Sequence, residues 1–274
     1  MRKNMEFISK NNLDLAQFKN LSAFPELYHG VTTRTGGTSG APFNGLNLGA
    51  HTGDSDEAVL ANYEALSRAL DFDLQKVVSS HQIHGAEIAC VAELPPRTRP
   101  FPCAHALEGF DGFITATPGI SLMVRVADCV PVILYDPDRK TVAVVHAGWR
   151  GTEAGIAKKA AELMVAQYGC AAESILAGIG PSIGPCCYEV GNDVAESFRR
   201  ALPDCRRVLM QDEQNLYSLD LQEANRQELI QAGLMPGHIE MSWLCTACNL
   251  NLFFSHRGEK GKTGRFALIA GLRA

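Results

Sequence analysis

Four short apolar runs between residues 113 and 148 constrain the fold more than any other feature of the sequence. They read FIT, SLMVRV, VPVILYD and TVAVVHAG, they are rich in Val, Ile and Leu, and only short polar turns separate them. Residues of these types favour strands, and connections this short join antiparallel neighbours. We therefore predict central strands in a mixed sheet, which argues against a doubly wound parallel fold.

Segments with helical periodicity alternate with the strands. Asp54 and Glu57 resemble a capping box, and the apolar spacing that follows predicts a first helix near residues 55–70. Further helices are predicted over 152–168, 192–201 and 220–232, and further strands in ILAGIG, HIEMSW and RFALIAGL. The expected fold class is mixed α/β, of the α+β kind.

A proline-rich connection at residues 94–104 is the one place where a domain boundary might be drawn. Pro95, Pro96, Pro100 and Pro102 make it stiff and non-helical. Candidate site residues lie on both sides of it, so we predict an internal loop. The chain is therefore expected to be one domain over residues 1–274, with residues 1–26 as a short N-terminal extension.

Composition and charge exclude several classes of function. A formal net charge of -5 gives no general reason to bind nucleic acid or an anionic membrane. No apolar run approaches the roughly 20 residues that span a bilayer, and the first residues lack the apolar stretch of a signal peptide. Nine cysteines in an irregular pattern indicate reduced thiols. We expect a soluble cytoplasmic protein.

His84, Cys129 and His146 form a candidate metal-binding set. His84 lies in HQIHG, while Cys129 and His146 each lie at the edge of a predicted strand, where sites are often built. Two imidazoles and one thiolate suit zinc, and three protein ligands leave one tetrahedral position open, as in catalytic sites. Spacing alone does not decide between His81 and His84.

Other polar segments are candidates for binding substrate. Arg34 in TTRTGG and Arg150 after Trp149 could bind phosphate, and Asn47 is a further candidate for substrate or phosphate. Arg150 joins Cys129 and His146 as a candidate catalytic residue. The Cys186–Cys187 and Cys245–Cys248 pairs are interpreted as packing, because one CxxC without a second is a weak signal. The loop from His256 to Arg265 is interpreted as solvated.

Several segments together resemble one known family. They are HQIHG, DGFITATPGISLMVRVADCVPVILYD, VAVVHAGWRGT, IGPCCYEVG and FFSHR with TGRFA, within residues 29–272. The resemblance is to the bacterial YfiH family, also called the laccase-domain or multicopper polyphenol oxidase family. By motif, the metal ligands of that family correspond to His84, Cys129 and His146, which favours His84 over His81. His256 stands where family members commonly carry Tyr.

This resemblance implies a fold and an activity. The fold is a single layered α/β domain of the YfiH type, with mixed sheets packed between helices. The activity is that of a zinc-dependent purine nucleoside phosphorylase acting on adenosine, inosine and S-methyl-5′-thioadenosine, with adenosine deaminase activity. Expected partners are a purine nucleoside and phosphate, and the expected assembly is a monomer or small homo-oligomer.

The candidate residues suggest how each of these two reactions would proceed. Zinc on the three ligands would activate water to attack C6 of adenine. For phosphorolysis, Arg34 or Arg150 would hold phosphate for attack on the ribose C1′.

Three alternatives stay open. A cysteine hydrolase that edits peptidoglycan precursors would use Cys129 as nucleophile and His146 as base. A copper-dependent polyphenol oxidase would bind copper with the same ligands, although a trinuclear cluster needs more histidines than these 8 scattered ones. In a non-catalytic binding or editing factor, the metal would only brace the fold.

Overall fold

A computed structural model describes residues 5–97, 105–202 and 204–274. Much of the proline-rich connection, residues 98–104, lies outside the described residues. Sixteen strands are described: β1 (Met5–Lys10), β2 (Leu13–Phe18), β3 (Leu27–Thr32), β4 (Val77–His81), β5 (Ile88–Cys90), β6 (His105–Glu108), β7 (Gly112–Thr115), β8 (Ser121–Val126), β9 (Val130–Asp136), β10 (Thr141–Ala147), β11 (Leu176–Ile179), β12 (Glu189–Val190), β13 (Leu209–Gln211), β14 (Tyr217–Leu219), β15 (Ile239–Met241) and β16 (Phe266–Leu272).

Six α-helices are described: α1 (Lys19–Ser22), α2 (Asp56–Leu70), α3 (Trp149–Glu153), α4 (Ile156–Tyr168), α5 (Asn192–Ala201) and α6 (Leu221–Gln231). Short 3₁₀ helices cover Leu74–Lys76, Ala172–Ser174 and Pro236–His238.

Two large mixed sheets contain most of the strands. The seven-stranded sheet has the order β1-β2-β3-β16-β8-β4-β6, and β4 runs parallel to both of its neighbours. The six-stranded sheet has the order β15-β11-β9-β10-β7-β5, with parallel pairs at its two edges. A small antiparallel sheet contains β12, β14 and β13. The predicted mixed sheet is thus confirmed.

The two large sheets lie face to face between helices. Along β9, Ile133 and Tyr135 pack towards the seven-stranded sheet, whereas Val132 and Leu134 pack against the helices. Successive side chains of a strand point to opposite faces, so a strand buried on both faces reads as one continuous apolar run. Helix α2 covers the outer face of the seven-stranded sheet, which completes a four-layer α/β/β/α arrangement.

The first two strands, β1 and β2, belong to the seven-stranded sheet. β1 and β2 form a hairpin around Asn11 and Asn12, both with positive φ, as tight two-residue turns require. Helix α1 then contacts the second sheet, because the Asn20 side chain donates hydrogen bonds to the carbonyls of Ala177 and His238, both at 3.0 Å.

The helix boundaries differ from prediction in two places. The side chain of Ser55, not Asp54, caps α2 by accepting a hydrogen bond from the N–H of Ala58. The helix predicted over 152–168 is divided into α3 and α4 at Gly155, whose φ is +74°. None of the described helices is long and apolar enough to cross a membrane.

We predict that Gly178→Ala destabilises the protein by about 1–3 kcal/mol, the usual cost of overpacking a core. A Cβ on Gly178 would lie 2.5 Å from ring atoms of Phe18, which is fully buried. Urea unfolding measures the effect. Gly40→Ala is the matched control, because its Cβ meets nothing within 4 Å, and a change of under about 0.5 kcal/mol is expected there. Equal stability of the two variants would contradict this packing.

Candidate metal and substrate site

Three strand ends meet beside His146. Strand β10 lies between β7 and β9 and is antiparallel to both, so the starts of its neighbours lie beside its own end. Asp111 precedes β7 and Cys129 precedes β9. The backbone N–H of His146 donates to the carbonyl of Asp111 at 2.7 Å. The predicted position of Cys129 and His146 at strand ends is therefore confirmed.

Asp111 is the residue that holds the His84 loop. Its fully buried carboxylate accepts hydrogen bonds from the backbone N–H groups of Ile83 at 3.3 Å, His84 at 3.1 Å and Gly85 at 2.7 Å. His84 has a φ of +60°, a left-handed conformation that few residues other than glycine adopt. These three bonds hold the strained turn in place.

The same carboxylate orients His146. The Nδ1–H of His146 donates to Asp111 Oδ1 at 2.7 Å, which leaves Nε2 as the ring atom available to a metal. A carboxylate behind a ligating histidine is a common arrangement that orients the ring.

His84, Cys129 and His146 together could hold a metal ion. The ligand atoms of the three residues all lie within 4.8 Å of one another, and the two imidazole rings meet edge to face with centroids 4.9 Å apart. Gly148 packs against them, because a Cβ there would lie 3.2 Å from both Cys129 Sγ and a ring carbon of His84. Two nitrogens and one sulfur fit zinc, and also copper.

Cys129 and His146 shift each other's ionisation. Burial opposes ionisation of the thiol, but the charge and hydrogen bonds of His146 and His84 outweigh it and lower the pKa of Cys129 to about 6. Burial also opposes a charge on His146, but Cys129 and Asp111 raise the pKa of His146 to about 9. The metal-free site therefore favours a thiolate, the form of cysteine that binds metals.

A cavity of about 530 Å³ opens beside the three ligands. Its described lining contains two arginines, Arg125 and Arg265, and no Asp or Glu. Both guanidinium groups are oriented by backbone carbonyls: Arg125 donates to Ser80 at 2.6 Å, and Arg265 to Thr263 at 3.2 Å and Gly264 at 2.9 Å. The remaining lining residues include His51, His81, Gln82 and His256.

The lining of this cavity is electropositive. Partial burial and the charges of Arg125 and Arg265 lower the pKa of His51 to about 4, so His51 is neutral at pH 7. Burial, together with the charge of Arg125, lowers the pKa of Arg265. A cavity with these charges suits an anion.

The three polar residues predicted to bind substrate do not line this cavity. Arg34 forms an ion pair with Glu259 at 3.0 Å and lies over the Phe254 ring. Asn47 is fully buried and braces a loop, because its amide donates to Thr52 and Asp54 and accepts from the backbone of Gly49 and Arg265. Arg150 is exposed and stacks on Trp149.

Asp128 ties the C-terminal loop to the site. Its carboxylate accepts hydrogen bonds from the hydroxyl groups of Thr246 and Ser255 and from the backbone N–H of Arg257, each at 2.6 Å. The loop predicted to be merely solvated therefore approaches Cys129 and contributes His256 and Arg265 to the cavity. A carboxylate next to the thiol needs such hydrogen-bond partners. The Asp128–Cys129 pair was therefore the signal in the sequence that another loop must approach the thiol.

Fold and site together define a class of protein: a layered α/β/β/α domain that carries two imidazoles and one thiol at the ends of its central strands. The chain belongs to the family described as multi-copper polyphenol oxidoreductase laccase, which matches residues 28–273.

Relatives of this chain include two proteins with named activities. Purine nucleoside phosphorylase YlmD of Geobacillus stearothermophilus is 40% identical over 245 residues, which are 89% of each chain. Adenosine deaminase RL5, from an unknown prokaryotic organism, is 37% identical over 227 residues, 81% of this chain and 85% of the other.

Solved structures confirm the fold and the predicted resemblance. The structure of YlmD from Geobacillus stearothermophilus superposes with a TM-score of 0.91 and 36% identity, covering 99% of this chain and 100% of that one. The hypothetical protein YfiH of Bacillus licheniformis superposes with a TM-score of 0.89 and 37% identity, covering 97% of this chain and 99% of the other.

We predict that Asp111→Asn weakens zinc binding about 10- to 100-fold, as expected on losing the partner of a ligating histidine. An amide has one acceptor oxygen where the carboxylate has two, so it cannot serve both His146 and the His84 loop. Titration against a competing chelator measures the affinity. Asp138→Asn, on an exposed turn after β9, is the control and should bind zinc like the wild type. Unchanged affinity in Asp111→Asn would show that Asp111 does not orient the ligands.

Proposed function

We propose that the chain is a purine nucleoside phosphorylase that converts adenosine, inosine or S-methyl-5′-thioadenosine and phosphate into a free purine and a pentose 1-phosphate. The observation that carries this proposal is that the three ligand residues and the two arginines share one cavity, with no carboxylate among its described lining residues. The relative named purine nucleoside phosphorylase supports it. A polyphenol substrate gives no reason for two arginines.

Phosphate would be held by Arg125 and Arg265. A guanidinium presents several N–H donors in one plane and binds phosphate oxygens in pairs. The backbone carbonyls of Ser80 and Gly264 fix part of each group, so little conformational entropy is lost when the anion binds. This assignment replaces Arg34 and Arg150 as the predicted phosphate ligands.

The reaction needs one bond made and one broken. A phosphate oxygen attacks the ribose C1′, the C1′–N9 bond breaks, and its electron pair leaves with the purine, which takes up a proton. Arg125 and Arg265 would hold the nucleophile in line with C1′, while His81 and His256, which line the cavity, are the groups placed to supply the proton.

His84, Cys129 and His146 would hold zinc. When bound, zinc would supply Lewis-acid chemistry to the cavity that these three residues line. The chain's own contribution is the orientation of these ligands: Asp111 fixes the His146 tautomer and the His84 turn.

We predict that Arg265→Ala raises the KM for phosphate about 10- to 100-fold, because a charge-assisted hydrogen bond contributes about 1.5–3 kcal/mol. Base release from inosine is measured at varied phosphate and at varied inosine. Arg150→Ala is the matched control and should leave the phosphate KM unchanged, because Arg150 lies outside the cavity lining. An equal rise in both KM values of Arg265→Ala would indicate a loosened loop instead of a lost phosphate contact.

We propose adenosine deaminase activity as a second reaction of the same site, since a relative carries that name. A water oxygen bonds to C6 of the adenine ring, the bond from C6 to the amino nitrogen breaks, and that nitrogen leaves as ammonia, so the reaction consumes no phosphate. We predict ammonia release from adenosine in phosphate-free buffer, with loss of the activity in Cys129→Ala and its retention in Arg150→Ala. Ammonia release that persists in zinc-replete Cys129→Ala would place the chemistry elsewhere.

The triad Asp111–His146–Cys129 also has the connectivity of a cysteine hydrolase site, which favours editing of peptidoglycan precursors as the alternative. Zinc removal separates the two interpretations. We predict that chelation abolishes base release and that zinc restores it. Amide hydrolysis of a cell-wall precursor by metal-free protein, blocked by alkylation of Cys129, would support the hydrolase.

A further inference from the structure

Four cysteines lie together outside the lining of the substrate cavity. They are Cys186, Cys187, Cys245 and Cys248, and their sulfur atoms all lie within 4.8 Å of one another. The Cys248 sulfur is 3.6 Å from that of Cys186 and 3.4 Å from that of Cys187. Cys186 and Cys248 are exposed, so packing, the role predicted for both pairs, does not explain the cluster.

We propose that these four cysteines form a second metal site, a closed structural site for zinc. Zinc binds four thiolates at about 2.3 Å in a tetrahedron, which separates neighbouring sulfurs by about 3.8 Å. The two sulfur distances of Cys248 are close to this value and well beyond the roughly 2 Å of a disulfide bond. Four soft ligands leave no open position, so the site would brace the fold and not perform chemistry.

The fold brings the two cysteine pairs together through neighbouring strands. β11 and β15 are parallel, and their ladder continues beyond the strands as a bridge between Ser182 and Cys245. The N–H of Thr246 donates to the carbonyl of Ser182 at 2.9 Å. The loops after β11 and β15 therefore leave the sheet side by side, each carrying one pair of cysteines.

A turn allows the adjacent residues Cys186 and Cys187 to point in the same direction. In an extended strand, Cys186 and Cys187 would point to opposite faces. Here the N–H of Cys187 donates to the carbonyl of Gly184 at 3.0 Å, and the resulting turn directs both side chains towards Cys248. With this geometry, two neighbouring cysteines can both bind one ion.

The backbone around Cys245 also suits a ligand. Gly184 leaves room for two sulfurs, because a Cβ there would lie 3.5 Å from Cys186 Sγ and 3.6 Å from Cys245 Sγ.

The cluster is connected to the first site through Asp128. Thr246, which lies between Cys245 and Cys248, donates to the Asp128 carboxylate at 2.6 Å. Ile183, in the other loop, donates its N–H to the Asp128 carbonyl at 2.9 Å. Zinc on the four cysteines would hold both loops against the residue that precedes Cys129.

The test is the zinc content of the full chain after dialysis against zinc and gel filtration. We expect one zinc for each of the two ligand groups. Cys186→Ser and Cys248→Ser should each lose one equivalent, and His84→Ala should lose the other. Cys90→Ser is the matched control, because Cys90 is exposed and lies outside both groups, and it should retain both. Zinc content in Cys186→Ser and Cys248→Ser equal to that of the wild type would overturn the proposal.

Cobalt substitution distinguishes the loss of a metal ligand from a loss of zinc that is caused by misfolding of the variant. We expect thiolate-to-cobalt charge-transfer absorption in the wild type that falls by more than half in Cys186→Ser and by less than half in His84→Ala, since one group supplies four thiolates and the other one. The His84→Ala protein should also melt at a higher temperature with zinc than without it. Absorption that depends equally on both groups, or no effect of zinc on melting of His84→Ala, would count against the second site. Neither readout depends on nucleoside turnover.

Discussion

The buried carboxylate of Asp111 is the interaction on which the candidate site depends. It has no charged partner other than His146 among its described contacts, and its remaining hydrogen bonds come from backbone N–H groups at residues 83–85. An uncompensated buried carboxylate would be very costly, so the His84 turn and the His146 ring are both required for the strand end to fold. Burial of one residue therefore couples two ligands that are far apart in sequence.

Asp128 performs a similar task on the opposite side of the thiol. It has a φ of +86°, a strained conformation for a residue other than glycine. Its carboxylate binds Thr246 and Ser255 of the connection between β15 and β16, and its carbonyl binds Ile183 of the loop after β11. The turn that contains it directs Cys129 towards His84 and His146. The two acidic residues thus fix the ligands from both sides without occupying a ligand position themselves.

The central strands are predictable from the sequence because their burial on both faces leaves a continuous apolar run. Helix α5 was predicted with the observed ends, and α6 within one residue at each end. The β1–β2 hairpin was missed, although the Asn11–Asn12 pair is a turn signal that could have revealed it. Only the family resemblance favoured His84 over His81 as a candidate metal ligand. His84 lies in a left-handed turn, and a turn has no sequence periodicity that would predict the direction of its side chain.

The two arginines proposed to hold phosphate, Arg125 and Arg265, could not be identified from local sequence patterns. Arg34 precedes Gly36 and Gly37 by two and three residues and so resembled part of an anion-binding loop, yet Glu259 neutralises it from 225 residues away. Arg125 lies within the apolar strand β8, and Arg265 belongs to the loop that was interpreted as solvated. The two arginines share a cavity because β8 pairs with β16. In that pairing Val126, which follows Arg125, lies opposite Phe266, which follows Arg265. One thiolate would leave bound zinc with a net positive charge, and the two guanidinium groups add to it. This excess of positive charge favours a doubly charged anion, as the proposed phosphorolysis requires of phosphate.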